Sequence, residues 1–413
     1  MAERNERFDV AIAGGSFVGL AQALALASAD ADIRVAVIDR TPPEEAGMAR
    51  SDGRATALSA ASRQLFDILG VWDDVADAAQ PIVDIDITDS SLDTLVRPRL
   101  LHFDTELRPG EAAAWMVENH ILRRALIARA NAQAGIRFLA PETVTGFAND
   151  DGGVTLALAG GSDLSAALLV VADGRKSALR KAAGIKTIGW SYPQIGIVAT
   201  VAHEKPHDGV AIQHFLPAGP FAILPLTGNR ASLVWTEEAA RGREIVALDD
   251  ARFLAELKPR FGTRFGAVSL AGPRGAFPLD LHIARSFIAE RVALVGDAAH
   301  GVHPLAGQGL NIGLRDVAAL TQVLVDARRL GLDAGGWQAL RRYEQWRRFD
   351  SAFSGLAMDA LNRLFSNDNT PLRALRSLGL GLVDRAPALK RFFVHEAAGM
   401  TGEVPLLLKG ELP

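Results

Sequence analysis

Apolar positions in this chain fall either into short, nearly continuous runs or into longer stretches with helical spacing, and the two predict different elements. Phe8 to Ala13 (FDVAIA) reads as a buried strand, followed by Gly14, Gly15 and Ser16. Leu20 to Ala27 (LAQALALA) consists of strong helix formers. Ile33 to Ile38 (IRVAVI) is a second strand-like run that ends at Asp39. Strand, glycine turn, helix, strand and acid is the order of a βαβ unit. Val10 to Ala29 is also 20 residues without a charge, long enough for a membrane span. The glycine pair after a short run, Gln22 and the many alanines favour strand, turn and helix instead.

Downstream, residues 57–70 predict a helix stopped by Gly70, and 82–106 are mixed, with β-like runs such as Ile85 to Thr88. Residues 118–134 are a clear helix before Gly135, and 136–172 read as short strands with a hairpin at Asp150 to Gly153. The last of these strands, Ala167 to Val171, runs into Asp173-Gly174. Residues 186–275 alternate in short runs separated by Pro and Gly: Ile195 to Val201, Ala211 to Leu216, Phe221 to Leu226 and Ala231 to Thr236. They predict an inserted antiparallel sheet, interrupted by one helix near 249–260. Residues 291–296 (RVALVG) are another buried strand, then a glycine-rich loop and a helix with Leu314, Val317, Ala318, Thr321 and Leu324 on one face. Leu340, Tyr343, Trp346, Phe349, Phe353, Leu356, Ala360 and Leu364 recur every three or four residues and predict a long helix. Pro371, Pro387 and Pro405 punctuate the tail.

Length and composition narrow the class. A chain of 413 residues suggests two or three domains, and 49% hydrophobic residues with 22% charged ones exclude a disordered protein. The net charge of −4 leaves no basic excess for a nucleic-acid backbone, so no nucleic-acid partner is expected. With no cysteine, disulfides, thiolate metal sites, Fe–S clusters and cysteine nucleophiles are excluded, which fits a reducing cytosol. The charged start before Phe8 lacks the apolar core of a secretory or transit peptide.

Three segments carry chemistry. Gly14-Gly15-Ser16-Phe17-Val18-Gly19 matches G-x-G-x-x-G with Ser16 in place of the middle glycine. That turn lets a backbone approach a pyrophosphate at a helix N-terminus, where unpaired N–H groups attract anions. Gly14 permits the tight turn, Gly19 lets helix and strand pack, and Ser16 can donate. Asp39, 25 residues after Gly14, is placed to accept from ribose hydroxyls, with Arg40 beside it. Taken alone, this is also the pattern of a plain glycine turn. The second segment, Asp173-Gly174-Arg175 to Arg180, follows an apolar strand, and on its own a β-turn with a solvated helix start is the preferred reading. The third is Gly296-Asp297-Ala298-Ala299-His300 followed by Pro304-Leu305-Ala306-Gly307-Gln308-Gly309-Leu310-Asn311. Here a strand end, an acid and a glycine-rich loop before a helix predict an anion-binding run of N–H groups.

Together these segments resemble the flavoprotein monooxygenases of the p-hydroxybenzoate hydroxylase class, and most closely the ubiquinone-biosynthesis hydroxylases. Further matches are Asp52-Gly53-Arg54 to Leu58, Val117 to Leu126 around Arg123, Phe221 to Leu226, Leu233 to Thr236, and Ala398 to Leu407. The resemblance implies an α/β fold: a Rossmann-like FAD-binding domain with an inserted antiparallel β-sheet substrate domain and a C-terminal helical region. The implied division is 1–83, 107–185 and 276–336 for the FAD-binding domain, 84–106 and 186–275 for the substrate domain, and 337–413 for the helical region. Gly14, Gly19 and Asp39 would serve the ADP half and Asp297 would lie on the ribityl–pyrophosphate side, with Gly15, Ser16, Val18, Arg40 and Asp173 also among the cofactor-binding residues. Arg54 and Arg123 would approach the cofactor backbone, and Pro304, Gly307, Gln308, Gly309, Leu310 and Asn311 would lie against the isoalloxazine ring.

The implied reaction is hydroxylation of a polyprenylated phenol through a flavin C4a-hydroperoxide, with O₂ and NAD(P)H or another electron donor. The expected partners are that phenol, other members of a quinone-biosynthesis complex and a peripheral membrane contact at the cytoplasmic face. Alternatives are a hydroxylase of a small phenolic acid, a flavin reductase or dehydrogenase of an apolar substrate, and a flavin-binding protein with a structural role. No Ser/His/Asp array or carboxylate dyad is visible, so no general base is named. No second dinucleotide fingerprint marks a separate NADPH domain. His300 and His303 have poor spacing for a metal, and local hydrogen bonding is the reading preferred. The 340–364 stripe is read as core packing ahead of a quinone cradle. Arg341-Arg342 and Arg347-Arg348 are read as a solvated helix face ahead of a lipid contact.

Overall fold

The first apolar run becomes the middle of a sheet. The computed structural model describes residues 7–49, 51–89, 92, 97, 99–150, 152–301, 308–348 and 386–413. Strand β1 (Arg7–Ala13) lies between β2 (Val35–Ile38) and β13 (Asp163–Val171), parallel to both. Strand β10 (Ile136–Leu139) extends the parallel layer beyond β2, and β20 (Val292–Leu294) extends it beyond the second half of β13. Antiparallel β11 (Val144–Asp150) and β12 (Gly153–Leu158) pair through the first half of β13, and β19 (Ile288–Ala289) pairs with β20. Val35 to Ile38 and Leu169 to Val171 are buried, as a parallel sheet covered on both faces requires. Helices α1 (Phe17–Ala29) and α8 (Gln308–Arg329) pack together in this layer, joined by a buried hydrogen bond of 2.8 Å from Gln22 to Thr321. The uncharged stretch Val10–Ala29 is therefore strand, turn and helix, and no helix among the described residues is long and apolar enough to cross a membrane.

A second sheet of eight strands is mostly antiparallel. Its order is β21 (His300–Gly301), β18 (Val268–Ala284), β14 (Thr187–His203), β17 (Arg230–Glu238), β16 (Gly219–Leu226), β15 (Val210–Leu216), β5 (Asp84–Asp89) and β6 (Leu101–Asp104). The expected division at 275/276 falls inside β18, and 84–104 supplies the far edge of this sheet. One face is covered by α6 (Ala239–Ala247) and α7 (Asp250–Phe261), which bury Trp235, Phe221, Phe253 and Phe261. The pattern missed α6: its Gly242 packs so close to Ile195 that a Cβ would stand 2.6 Å from that side chain.

Between the two sheets lie β3 (Ala55–Ser59), β9 (Ala114–Glu118) and β4 (Gln80–Ile82), with a short ribbon of β7 (Glu106–Arg108) and β8 (Glu111–Ala112). The expected helix over 57–70 starts later than its alanines suggested. Residues 55–59 pair with β9, and α3 (Ala60–Ile68) begins only after Ser59, whose hydroxyl accepts the Ser62 N–H at 3.2 Å. Sheet pairing overrides local helix propensity there. The remaining helices are α2 (Pro43–Met48), α4 (Asn119–Asn131), α5 (Ala178–Ala182), α9 (337–348) and α10 (Pro387–Ala397). Leu340 and Tyr343 of the aromatic stripe are buried and Trp346 is half-buried; Phe349, Phe353, Leu356, Ala360, Leu364 and Pro371 lie outside the described residues.

Candidate functional site

Parallel pairing brings all three motifs to one edge. Strands β2, β1, β13 and β20 end together at Ile38, Ala13, Val171 and Leu294. Beyond them the turns are linked by backbone: Gly14 N–H donates to Ile38 at 2.9 Å, Ala172 N–H to Ala13 at 2.8 Å and Val295 N–H to Val171 at 3.1 Å. Ligands of such sheets bind at this carboxyl edge.

The glycines of the first turn are sterically required. Gly14 has φ +112°, and a Cβ there would stand 2.4 Å from the Ala172 carbonyl oxygen. A Cβ on Gly19 would stand 1.8 Å from the Gly14 oxygen, so α1 starts against its own turn only because Gly19 has no side chain. Ser16 is exposed at the N-cap of α1 and its side chain makes no cap bond. Asp39 accepts the Gly15 N–H at 2.7 Å through one oxygen and the Thr41 N–H at 2.8 Å through the other. It thus fixes the turn and still has lone pairs for a ribose. Arg40 is exposed beside it. Val18 fills the space between two further glycines: a Cβ on Gly296 or Gly313 would come within 3.0 or 2.9 Å of its methyl. The first turn, the third turn and α8 therefore pack as one unit.

Asp173 and Asp297 face the same edge. Among the described residues, one oxygen of Asp173 accepts only a long 3.5 Å contact from the Leu179 N–H, and the other is buried with no partner. A buried, unpaired carboxylate oxygen is costly, and a ligand donor would satisfy it. Asp297 is half exposed and held by Arg175 at 3.4 Å, while Arg175 is anchored to Asp280 at 2.5 Å. Buried Arg180 donates to Ala298 O at 2.7 Å and Arg175 O at 3.2 Å, locking the second motif to the third. His282 Nε2 donates to Asp297 O at 3.0 Å; burial leads in pushing its imidazole below the ordinary value.

Behind the third turn is a buried ion cluster that sequence reasoning missed. Asp316 of α8 accepts from Gly296 N–H at 3.0 Å, His300 Nε2 at 2.6 Å and Arg347 Nε at 2.9 Å. Burial raises its carboxyl, but His300 and Arg347 outweigh that and hold it below the usual range. Arg347 is only 3% exposed, which corrects its reading as part of a solvated face, whereas Arg341, Arg342 and Arg348 are exposed. Tyr343 donates to Leu294 O at 2.7 Å beside it. An acid next to the apolar stripe of α8 was the available signal. His300 does bond locally, His303 lies outside the described residues, and among those residues no cluster of three potential ligands could hold a metal.

Gln308, Gly309 and Leu310 form the first turn of α8, with Pro304 and Gly307 outside the described residues. Gly309 is helical, and a Cβ there meets nothing within 4 Å among the described residues. The Asn311 side chain is engaged by protein: it accepts from Ser59 N–H at 3.0 Å and Ser62 Oγ at 2.8 Å, and donates to Ala57 O at 2.8 Å. It pins α8 to β3 and α3. Arg123 lies over the Phe17 ring at 5.3 Å, beside the start of α1. Arg54 pairs with Asp52 at 2.5 Å and lies 5.1 Å over Phe277 of the second sheet.

This cradle fits an FAD: a glycine turn at a helix N-terminus for the pyrophosphate, Asp39 for the ADP ribose, and the orphaned Asp173 and exposed Asp297 for the groups between. The comparisons agree. The FAD binding domain family matches residues 7–349. The chain is 45% identical over 405 residues to ubiquinone hydroxylase UbiL of Rhodospirillum rubrum, covering 97% of this chain and 92% of that one. It is 37% identical over 398 residues to 3-demethoxyubiquinol 3-hydroxylase of Escherichia coli, covering 96% and 100%. The crystal structure of p-nitrophenol 4-monooxygenase PnpA from Pseudomonas putida DLL-E4 superposes with a TM-score of 0.79 at 18% identity, covering 96% and 99%, and shares the fold. The fold and cradle define an FAD-dependent monooxygenase; the chain belongs to the FAD-binding-domain family and, within it, to the ubiquinone-biosynthesis hydroxylases.

Proposed function

We propose that this enzyme hydroxylates the ring of a polyprenylated phenol on the route to ubiquinone, and that the residues above hold its FAD. Gly14, Gly15 and Gly19 clear the pyrophosphate path, Val18 seats the turn, Asp39 with neighbouring Arg40 receives the ADP ribose, and Ser16 donates at the helix start. Asp173, Asp297, Arg54 and Arg123 serve the ribityl–pyrophosphate stretch. The first turn of α8, with Pro304 and Gly307 before it, serves the ring. Bound FAD supplies reductive activation of O₂, fed by NAD(P)H or another donor. The protein's part is to orient the phenol and keep water out, which needs an apolar chamber more than a general base.

One observation favours an apolar substrate over a small carboxylated one. The strands of the second sheet carry two arginines, and each is paired: Arg230 with Glu118 at 3.0 Å and Arg274 with Asp250 at 2.7 Å. Arg241 and Arg243 are exposed on α6, which covers the other face, and Arg241 is tied to Glu244 and Glu256. These strands therefore offer no unpaired cation for a substrate carboxylate. A prenyl chain must come from lipid, so the reading includes peripheral contact with the membrane's cytoplasmic face and with other proteins of quinone synthesis. Exposed Leu389, Phe392 and Phe393 of α10 support that contact.

The test supplies FAD, a reductant and ¹⁸O₂, and compares a short-chain prenylphenol with p-hydroxybenzoate. Labelled prenylphenol product is expected. Preference for the small acid would move the protein into catabolism of soluble aromatics. Substrate oxidation without label would make it a reductase or dehydrogenase, and tight FAD without substrate-stimulated turnover a structural flavoprotein.

A further inference from the structure

The face of the second sheet opposite α6 and α7 looks toward the FAD-binding half. On β15 the alternation is clean. Ile212 and Leu216 belong to the core under the helices, while Ala211 belongs to a separate small cluster with Ala57, Ile82, Met116 and Leu226. Ala57 is the residue whose carbonyl accepts the Asn311 amide, at the start of α8. Gln213 shares the face of Ala211 and lies two residues further along, about 7 Å. Its register partner Ala222 leads to Val234, then Val198, then Gly275. Phe277, under Arg54, closes the same face.

This face also carries Ser232 and Thr200, and at two further points it holds a buried polar atom that is unpaired among the described residues. The Gln213 amide nitrogen is buried and has no hydrogen-bond partner among the described residues. Thr236, paired with Gly196 across from Phe277, also has a buried hydroxyl without a partner among the described residues. A buried amide left unpaired costs free energy that a folded protein ordinarily avoids. A donor retained in that state, on the face turned to the flavin turn, is matched to an acceptor brought by a ligand. The neighbouring row of Ala222 and Val234 is flat and apolar, suited to the face of an aromatic ring.

We propose that Gln213 is a substrate-binding residue whose amide N–H donates to an oxygen on the ring of the phenol or quinol substrate, setting which ring carbon meets the flavin. The inference rests on the functional reading above and names the contact that orients that substrate. Specificity of this kind is sharp, because a substrate lacking the oxygen leaves the amide unpaired again.

Gln213→Leu removes the donor at similar volume, and Gln213→Glu replaces it with an acceptor. Both variants should keep their FAD. The leucine variant should keep or exceed the parent's thermal midpoint, since it deletes an unpaired polar group. With the phenol that the parent hydroxylates best, KM should rise about tenfold in both, and more reductant should be consumed as hydrogen peroxide without product. The parent should discriminate against an analogue of that phenol lacking one ring oxygen, and Gln213→Leu should bind the two alike. Unchanged KM, coupling and discrimination overturn the assignment. So does a lowered midpoint and loss of FAD with KM unchanged, which marks the amide as structural. If the parent takes only a small phenol, the prenyl substrate is lost while Gln213 is still tested; if it hydroxylates no phenol, both readings fall.

Discussion

At the edge of the parallel sheet, the atoms proposed to meet the cofactor belong largely to the backbone, and the glycines matter by their missing side chains. On the antiparallel sheet, the atoms proposed to face the substrate are side chains at every second position, and the backbone is spent on pairing with neighbouring strands. The two regions therefore tolerate change differently. In the first, one added methyl group collides with a carbonyl oxygen that cannot move without unravelling a helix start. In the second, a side chain can be exchanged for another of its size, and what changes is which substrate fits.

Four variants measure that difference. Gly19→Val should have the largest effect, abolishing FAD binding in reconstitution, because its Cβ would lie 1.8 Å from the Gly14 oxygen. Retained FAD would mean that the turn can reshape, and the contrast between the sheets would fail. Asp316→Ala comes next. It leaves buried His300 and Arg347 without their carboxylate, a break worth about 3–5 kcal/mol in other proteins. A clear drop in the thermal midpoint is expected with and without added FAD. An unchanged midpoint would show that the cluster does not support the third turn.

Asp297→Ala should be milder and more selective. Its carboxylate is half exposed and pairs, among the described residues, with Arg175 at 3.4 Å, so the fold should hold. FAD should bind about 10- to 100-fold more weakly, the worth of a hydrogen bond to a charged group. Equal affinity by fluorescence titration would place the ribityl side elsewhere. His214 gives the smallest effect at neutral pH and tests the antiparallel sheet alone. Burial, with Arg97 and Arg264 nearby, pushes its imidazole down to about 3, and it shares a 2.6 Å hydrogen bond with Thr88. The unfolded chain thus binds the proton more readily than the folded one. Stability from this group is complete above pH 6.5 and is lost as pH falls toward 3. His214→Leu should flatten the fall of the midpoint with acid between those values. A slope identical to the parent's would show that His214 is not what acid protonates.

Much of the first region was legible along the chain, because its chemistry is local. Gly14, Gly19 and Asp39 lie within one βαβ unit, and the turn demands those residue types at those spacings. The strand ends carrying Asp173 and Asp297 were visible as apolar runs stopping at an acid. The helix assigned to 57–59 failed because β9, more than 50 residues later, claims that backbone for pairing. Arg347 failed for a related reason. By its neighbours it is one of a pair of surface arginines, and only the meeting of α9 with α8 gives it Asp316. Asn311 was marked as a ligand contact, and nothing along the chain showed that its side chain is held by Ser59, Ser62 and Ala57, some 250 positions earlier.

By itself, then, the sequence determined most of the alternation of strand and helix and the glycine turns, since each follows from steric and electrostatic demands within a few residues, while the cofactor was what the resemblance implied. Tertiary structure alone decided which side chains remain free to bind. Free valence is what is left after distant segments have taken their hydrogen bonds: Asn311 loses its own to β3 and α3, Arg230 its charge to Glu118, while Gln213 and Asp173 are left with one buried polar atom each unpaired.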